Sequence, residues 1–272
     1  MEKKYEHALD SLGSKNVLII GIIFGFLIFC MFGFVILGIS ALNDGINTSD
    51  IKEEQVATST KTTTVVPKTD KPKAELFIMS YCPYGLQMQK AYLPVMELLG
   101  KKADIDIKFV SYAMHEKKEI DENTRQYCIQ KEQTEKFVEY SKCFTETGKF
   151  DACLTSVKID EGELDACIII TDKDFKITEL YNDKSTWLNG RFPIYPIFKE
   201  LNTKYRVQGS PTLVINGVQA TVERTPEAIK KAICGAFNKP PAECTTVLST
   251  QGPQAGFGSG TGTATNQEAA CH

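Results

Sequence analysis

The chain has 272 residues, enough for one full domain with additions and too many for a minimal disulfide-stapled scaffold. It is 42% hydrophobic, and 31 basic against 34 acidic residues leave a net charge of −3, so charge offers no case for nucleic acid as a partner. Nine cysteines are the unusual feature and direct attention to disulfide, metal or thiol chemistry.

Residues 16–43 carry no charge and are almost wholly apolar, which predicts one transmembrane helix. The alternative, a cleaved signal peptide, has a shorter apolar region and a small-residue cleavage site, for which Gly38-Ile39-Ser40 is a weak match. Cys30 reads as a lipid-facing small apolar residue. Lys3, Lys4 and Lys15 precede the span and only Lys52 follows it closely, so residues 1–15 are expected in the cytoplasm and the remainder outside the cell membrane. Disulfides persist there. Residues 44–73, rich in Thr, Lys and Glu, read as a flexible tether reaching roughly 30 Å. A globular domain is expected over 74–248, and 249–272 reads as a disordered Gly-rich tail ending in Cys271-His272.

The domain opens with a short apolar strand, Glu75–Met79, followed by Cys82-Pro83-Tyr84-Gly85 and a segment of helical spacing in which Pro94 is expected to introduce a kink. Cys82 thus falls just ahead of a helix N-terminus, where unpaired backbone N–H groups and the positive dipole end favour a thiolate. Pro83 suits the first helical position. A second strand is predicted at Ile105–Val110 and a third at Leu213–Ile215, with Asn216-Gly217 as a hairpin turn. The last helix is predicted from Pro226 to about Phe237 behind an N-cap at Thr225.

Cys-Pro-Tyr before a helix, then Gly209-Ser210-Pro211-Thr212 before a hairpin, resembles the thioredoxin superfamily. The resemblance implies an α/β thioredoxin fold in which Pro211 is cis and faces Cys82. It also implies that the Ser210 backbone pairs with an extended substrate, with Pro83, Tyr84 and Gly85 beside it. The wide spacing between the two motifs leaves room for a helical insertion, about 115–195, as in DsbA-type members. Within it Cys128, Cys143, Cys153 and Cys167 resemble the gamma-interferon-inducible lysosomal thiol reductases, a likeness running roughly from Leu76 to Cys234. The departure is at Gly85, where those proteins have the second cysteine of Cys-x-x-Cys. A mixed disulfide at Cys82 must then be resolved by substrate, by a small thiol or by a distant cysteine.

Geometry constrains the other cysteines. On one unbroken helix Cys128 and Cys143 lie roughly 22 Å apart, whereas a disulfide needs Cα atoms within about 7 Å. A turn near Gly148 favours the nested pairs Cys143–Cys153 and Cys128–Cys167, and Cys234–Cys244 closes a short loop through Pro240-Pro241. Cys82 and Cys271 are left over. Either the tail, with a reach near 25 Å, brings Cys271 to Cys82 as a resolving thiol, or Cys271 pairs with another chain or stays free.

The expected function is thiol–disulfide exchange on exported proteins through a single active-site cysteine, Cys82, with a non-catalytic chaperone or interaction module as the alternative. The partners are extracytoplasmic protein thiols and disulfides and, as the resemblance implies, a membrane redox protein. No cofactor or metal is expected, because no His/Cys pair has zinc-site spacing. His115 reads as a solvated surface residue, Trp187 as packing, and Phe192, Tyr195 and Phe198 as core side chains or the lining of a peptide groove.

Overall fold

The computed structural model describes residues 65–262 and 271. The expected span at 16–43, the cytoplasmic segment 1–15 and the first part of the tether lie outside the described residues. Among the described residues no helix is long and apolar enough to cross a membrane.

Strand β1 (Lys73–Ile78) is buried at every position after the first, as befits a central strand covered on both faces. It lies between parallel β2 (Asp104–Phe109) and antiparallel β3 (Thr212–Ile215), and β4 (Val218–Gln219) completes the order β2-β1-β3-β4. Leu76 pairs with Ile107 on one side and Leu213 on the other. Asn216 and Gly217 both take positive φ, 48° and 84°, the geometry that a two-residue hairpin matching the strand twist requires. Helix α1 (Pro83–Leu99) joins β1 to β2 and continues through Pro94 to Leu99. The last α-helix among the described residues, α8 (Pro226–Gly235), begins where the Thr225 hydroxyl accepts a hydrogen bond from Ala228 N at 3.2 Å.

Between β2 and β3 the chain forms α2 (Glu116–Glu132), α3 (Thr134–Thr147), α4 (Phe150–Val157), α5 (Glu161–Phe175), α6 (Ile177–Asn182) and α7 (Lys199–Tyr205). The stretch from Cys128 to Cys143 is not one helix. Gln133, with φ −129°, separates α2 from α3, and its side chain binds the backbone of Asp160 in both directions at 2.9 Å. Cys128 of α2 is bonded to Cys167 of α5, and Cys143 of α3 to Cys153 of α4, with Cα separations of 5.8 and 5.6 Å. Cys234–Cys244 ties the end of α8 to the following turn. A buried polar network ties the insertion to α1. Glu122 accepts from Tyr140 Oη at 3.0 Å and Gln126 Nε2 at 2.9 Å and pairs with Arg125, while Gln89 Nε2 donates to Gln126 Oε1 at 3.0 Å.

Both expected loose segments differ from the reading as coil where they are described. Thr69 N donates to Ala236 O at 2.9 Å, Asn238 N donates to Thr69 O at 2.8 Å, and Asn216 Nδ2 reaches Pro67 O. The tail forms a hairpin of β5 (Gly252–Pro253) and β6 (Thr261–Gly262) that packs on α1. Neither segment has apolar periodicity. Apart from the hairpin's own pairing, they are held by side chains and backbone distant in sequence.

Candidate active site

Cys82 is the N-cap of α1, in extended conformation (φ −69°, ψ 122°), with Pro83 at the first helical position. Its Sγ accepts from Gly85 N at 3.4 Å, so it takes up one of the otherwise unpaired N–H groups of the first turn. Cys82 is fully buried. Facing it is the Ser210–Pro211 peptide, which is cis. Ser210 Oγ accepts from Met79 N at 2.8 Å, and Ser210 O lies 3.4 Å from Cys82 Sγ.

Cys82 is not a lone thiol. It is bonded to Cys271, with Cα atoms 6.2 Å apart. Cys271 also forms an isolated antiparallel bridge with Ser210: Ser210 N donates to Cys271 O at 3.0 Å and Cys271 N donates to Ser210 O at 2.9 Å. A single tail residue therefore occupies the backbone position beside the cis-proline and the disulfide position opposite the helix start.

A β-α-β unit and a β-hairpin-plus-helix unit share one sheet, and an N-cap cysteine faces a cis-proline loop. This is a thioredoxin fold. No family model and no curated protein matches the chain. Solved structures similar to it include DsbA from Mycobacterium tuberculosis (13% identity, 65% of this chain and 93% of that one, TM-score 0.42) and DsbG from the same organism (13%, 65% and 88%, 0.41). BdbD from Bacillus subtilis is another (18%, 61% and 89%, 0.40). Element order, strand pairing and the placement of the cis-proline define the fold.

Gly85 has a steric role. A Cβ there would collide with Ser210 Oγ and approach Met79 O to 2.9 Å, so Ser210 fills the space that a side chain at position 85 would take. Tyr84 packs against the cluster around Phe77, Met79 and Cys82, and the Arg224 guanidinium lies 5.2 Å from its ring centroid. Arg224 Nη1 donates to Gln87 Oε1 at 3.0 Å, and burial pulls the guanidinium pKa below its ordinary value.

Several residues of the site carry no signal in the sequence. Glu119, fully buried on α2, accepts from Tyr81 N at 3.1 Å, Met114 N at 2.7 Å and His115 N at 3.1 Å. Asn123 Oδ1 accepts from Ser80 N at 3.2 Å. The two peptide groups ahead of Cys82 thus hang from α2. His115 is not simply solvated, because its Nδ1 sits 3.0 Å from Glu119 Oε1. On the tail, Phe257 packs edge-on against Tyr81 and Phe144 at 5.8 and 5.5 Å, over Gly148, and Lys90 Nζ donates to Gly256 O and Gly258 O. Gln87 Nε2 donates to Pro253 O at 2.8 Å.

Trp187 donates from Nε1 to Tyr181 O and lies in the insertion. Tyr195 is core, hydrogen-bonded to Thr124, and Phe198 stacks on Phe109. Phe192 lies 5.8 Å from Tyr112, at the edge of the cluster that contains Cys82. Among the described residues no group of three or more His, Cys, Asp or Glu side chains is placed to hold a metal ion.

Proposed function

We propose that this protein is a thiol–disulfide oxidoreductase whose exchanging pair is Cys82 and Cys271, acting on protein thiols and disulfides outside the cytoplasm from a membrane anchor at 16–43. The observation that carries the reading is the Cys82–Cys271 disulfide, set at a helix N-terminus opposite the cis Ser210–Pro211 peptide. The Gly85 N–H and the dipole of α1 stabilise negative charge on Cys82 Sγ, which makes Cys82 a good thiolate to release or to hold. A cysteine from the far end of the chain stands in for the partner that Gly85 replaces in Cys-x-x-Cys.

Substrate polypeptide, in this reading, lies extended against Ser210, where the Cys271 backbone now lies, with Pro83, Tyr84, Gly85 and Pro211 around it. Its redox partner is a membrane protein that resets the pair. Insulin reduction and refolding of a reduced disulfide protein, each compared between wild type and Cys82→Ser, test the proposal. Loss of both activities in the variant is expected. Equal activity in the two proteins instead favours a binding module without turnover.

A further inference from the structure

Resting on the exchange reading above, we infer that substrate thiols enter the oxidised protein at Cys271 rather than at Cys82, so that the tail cysteine carries the mixed disulfide and Cys82 is the leaving thiolate. Two independent features of the site lead to this assignment.

The first is access. A thiolate attacks a disulfide sulfur in line with the bond it breaks, from the side opposite the departing sulfur. No part of Cys82 reaches solvent, and its Sγ is flanked by Gly85 N and Ser210 O, each at 3.4 Å. Phe77, Met79, Val110 and Val214, all fully buried, complete the cluster around it. Cys271 is only half-buried and packs on the outside of that cluster. A protein thiol can approach the outer sulfur, whereas the inner one is walled off.

The second is the leaving group. Exchange runs faster when the departing thiolate is the more stable one. Departure from Cys82 places the charge on the sulfur that the Gly85 N–H and the first turn of α1 already solvate. Departure from Cys271 has no such support among the described residues.

The step balances without any further reagent. The substrate thiol gives its proton to solvent, and its sulfur forms a bond to Cys271 Sγ. The Cys271–Cys82 bond breaks, and its electron pair stays on Cys82 as thiolate. A second substrate thiolate then attacks the first substrate sulfur, closing a substrate disulfide and releasing Cys271 as thiolate. Two substrate thiols are oxidised and one protein disulfide is reduced. Cys271 leaves the Ser210 bridge during the cycle, so the backbone site beside Pro211 becomes free for the substrate that Cys271 carries.

Full-length oxidised protein mixed with a peptide bearing one cysteine, quenched in acid at successive early times and digested at low pH, reads the site of attack directly. The expected result is peptide disulfide-linked to Cys271 with Cys82 as a free thiol, exceeding the Cys82 adduct by about tenfold at the earliest times. In Cys82→Ser, where Cys271 is a free thiol, the adduct is first made by letting Cys271 attack the peptide's thiopyridyl disulfide with release of thiopyridone, and it is expected to persist because no internal thiolate remains to expel the peptide. Early adduct predominantly on Cys82 overturns the inference while leaving the exchanging pair intact. Adduct on neither cysteine, with the disulfide unchanged, overturns the exchange reading and the inference together.

Discussion

At position 85 the missing side chain matters more than the missing thiol. Ser210 Oγ sits where a Cβ would go, and it is fixed there by Met79 N. Gly85→Ala is therefore expected to cost about 1–3 kcal/mol through overpacking. In a Ser210→Ala background the same change is expected to cost about 1 kcal/mol less, a coupling that urea unfolding of the four proteins of the cycle measures. Additive costs would mean that the two residues do not share this space. Glu122 makes a separate prediction. Desolvation raises its pKa above 4.5, against the opposing influence of Arg125 and of its hydrogen bonds to Gln126, Arg125 and Tyr140. A carboxyl whose folded-state pKa is raised contributes its stability fully below the unfolded value and loses it as pH rises through the folded value. The difference in unfolding free energy between wild type and Glu122→Gln should therefore shift against wild type as pH rises from below 4.5 through that titration. A difference independent of pH would show that Glu122 does not titrate there.

Among the elements, the hairpin of residues 252–262 has the most consequence for the site. Eight residues separate Gly262 from Cys271, so a docked hairpin holds the cysteine on a far shorter leash than a free tail does. Phe257→Ala removes the contacts with Tyr81 and Phe144. It should lower the glutathione ratio, [GSH]² to [GSSG], at which Cys82–Cys271 is half reduced by about tenfold. An unchanged ratio would mean that the hairpin does not position Cys271. The same segment shows where sequence reasoning stops. Asn216-Gly217, the Thr225 cap and the Cys82-Pro83 helix start are local signals and stand in the chain where the structure uses them. Docking of 252–262 depends on one phenylalanine and on carbonyls bound by Lys90 and Gln87, none of which leaves a periodic pattern. Glu119 and Asn123 look like ordinary charged and polar residues of a polar helix until the backbone of Ser80 and Tyr81 is seen above them. The complementarity of Gly85 and Ser210 joins positions far apart in the chain and is visible only in space.

For the whole molecule, the three other disulfides set the stability of the scaffold. Cys128–Cys167 spans 39 residues, whereas Cys143–Cys153 and Cys234–Cys244 each span 10. Loop-closure entropy makes the first the most stabilising, at about 3–4 kcal/mol. Replacing both of its cysteines by serine should lower the thermal midpoint more than replacing either other pair. The proposed topology is tested by protease treatment of intact cells, which should remove the globular domain and leave a small stub in the membrane, and protection of the domain would reverse the orientation. Cys82–Cys271 couples a thiolate-stabilising helix start to a half-buried tail cysteine, while Cys128–Cys167 is sealed in the core. The most direct measurement is a graded reduction of the native protein in glutathione buffers, with each cysteine's state read by acid quench, alkylation and mass spectrometry. Cys82–Cys271 is expected to open and re-form reversibly while the other three disulfides stay closed; a Cys82–Cys271 bond that survives until all four are lost together on unfolding would show that it is not an exchanging pair.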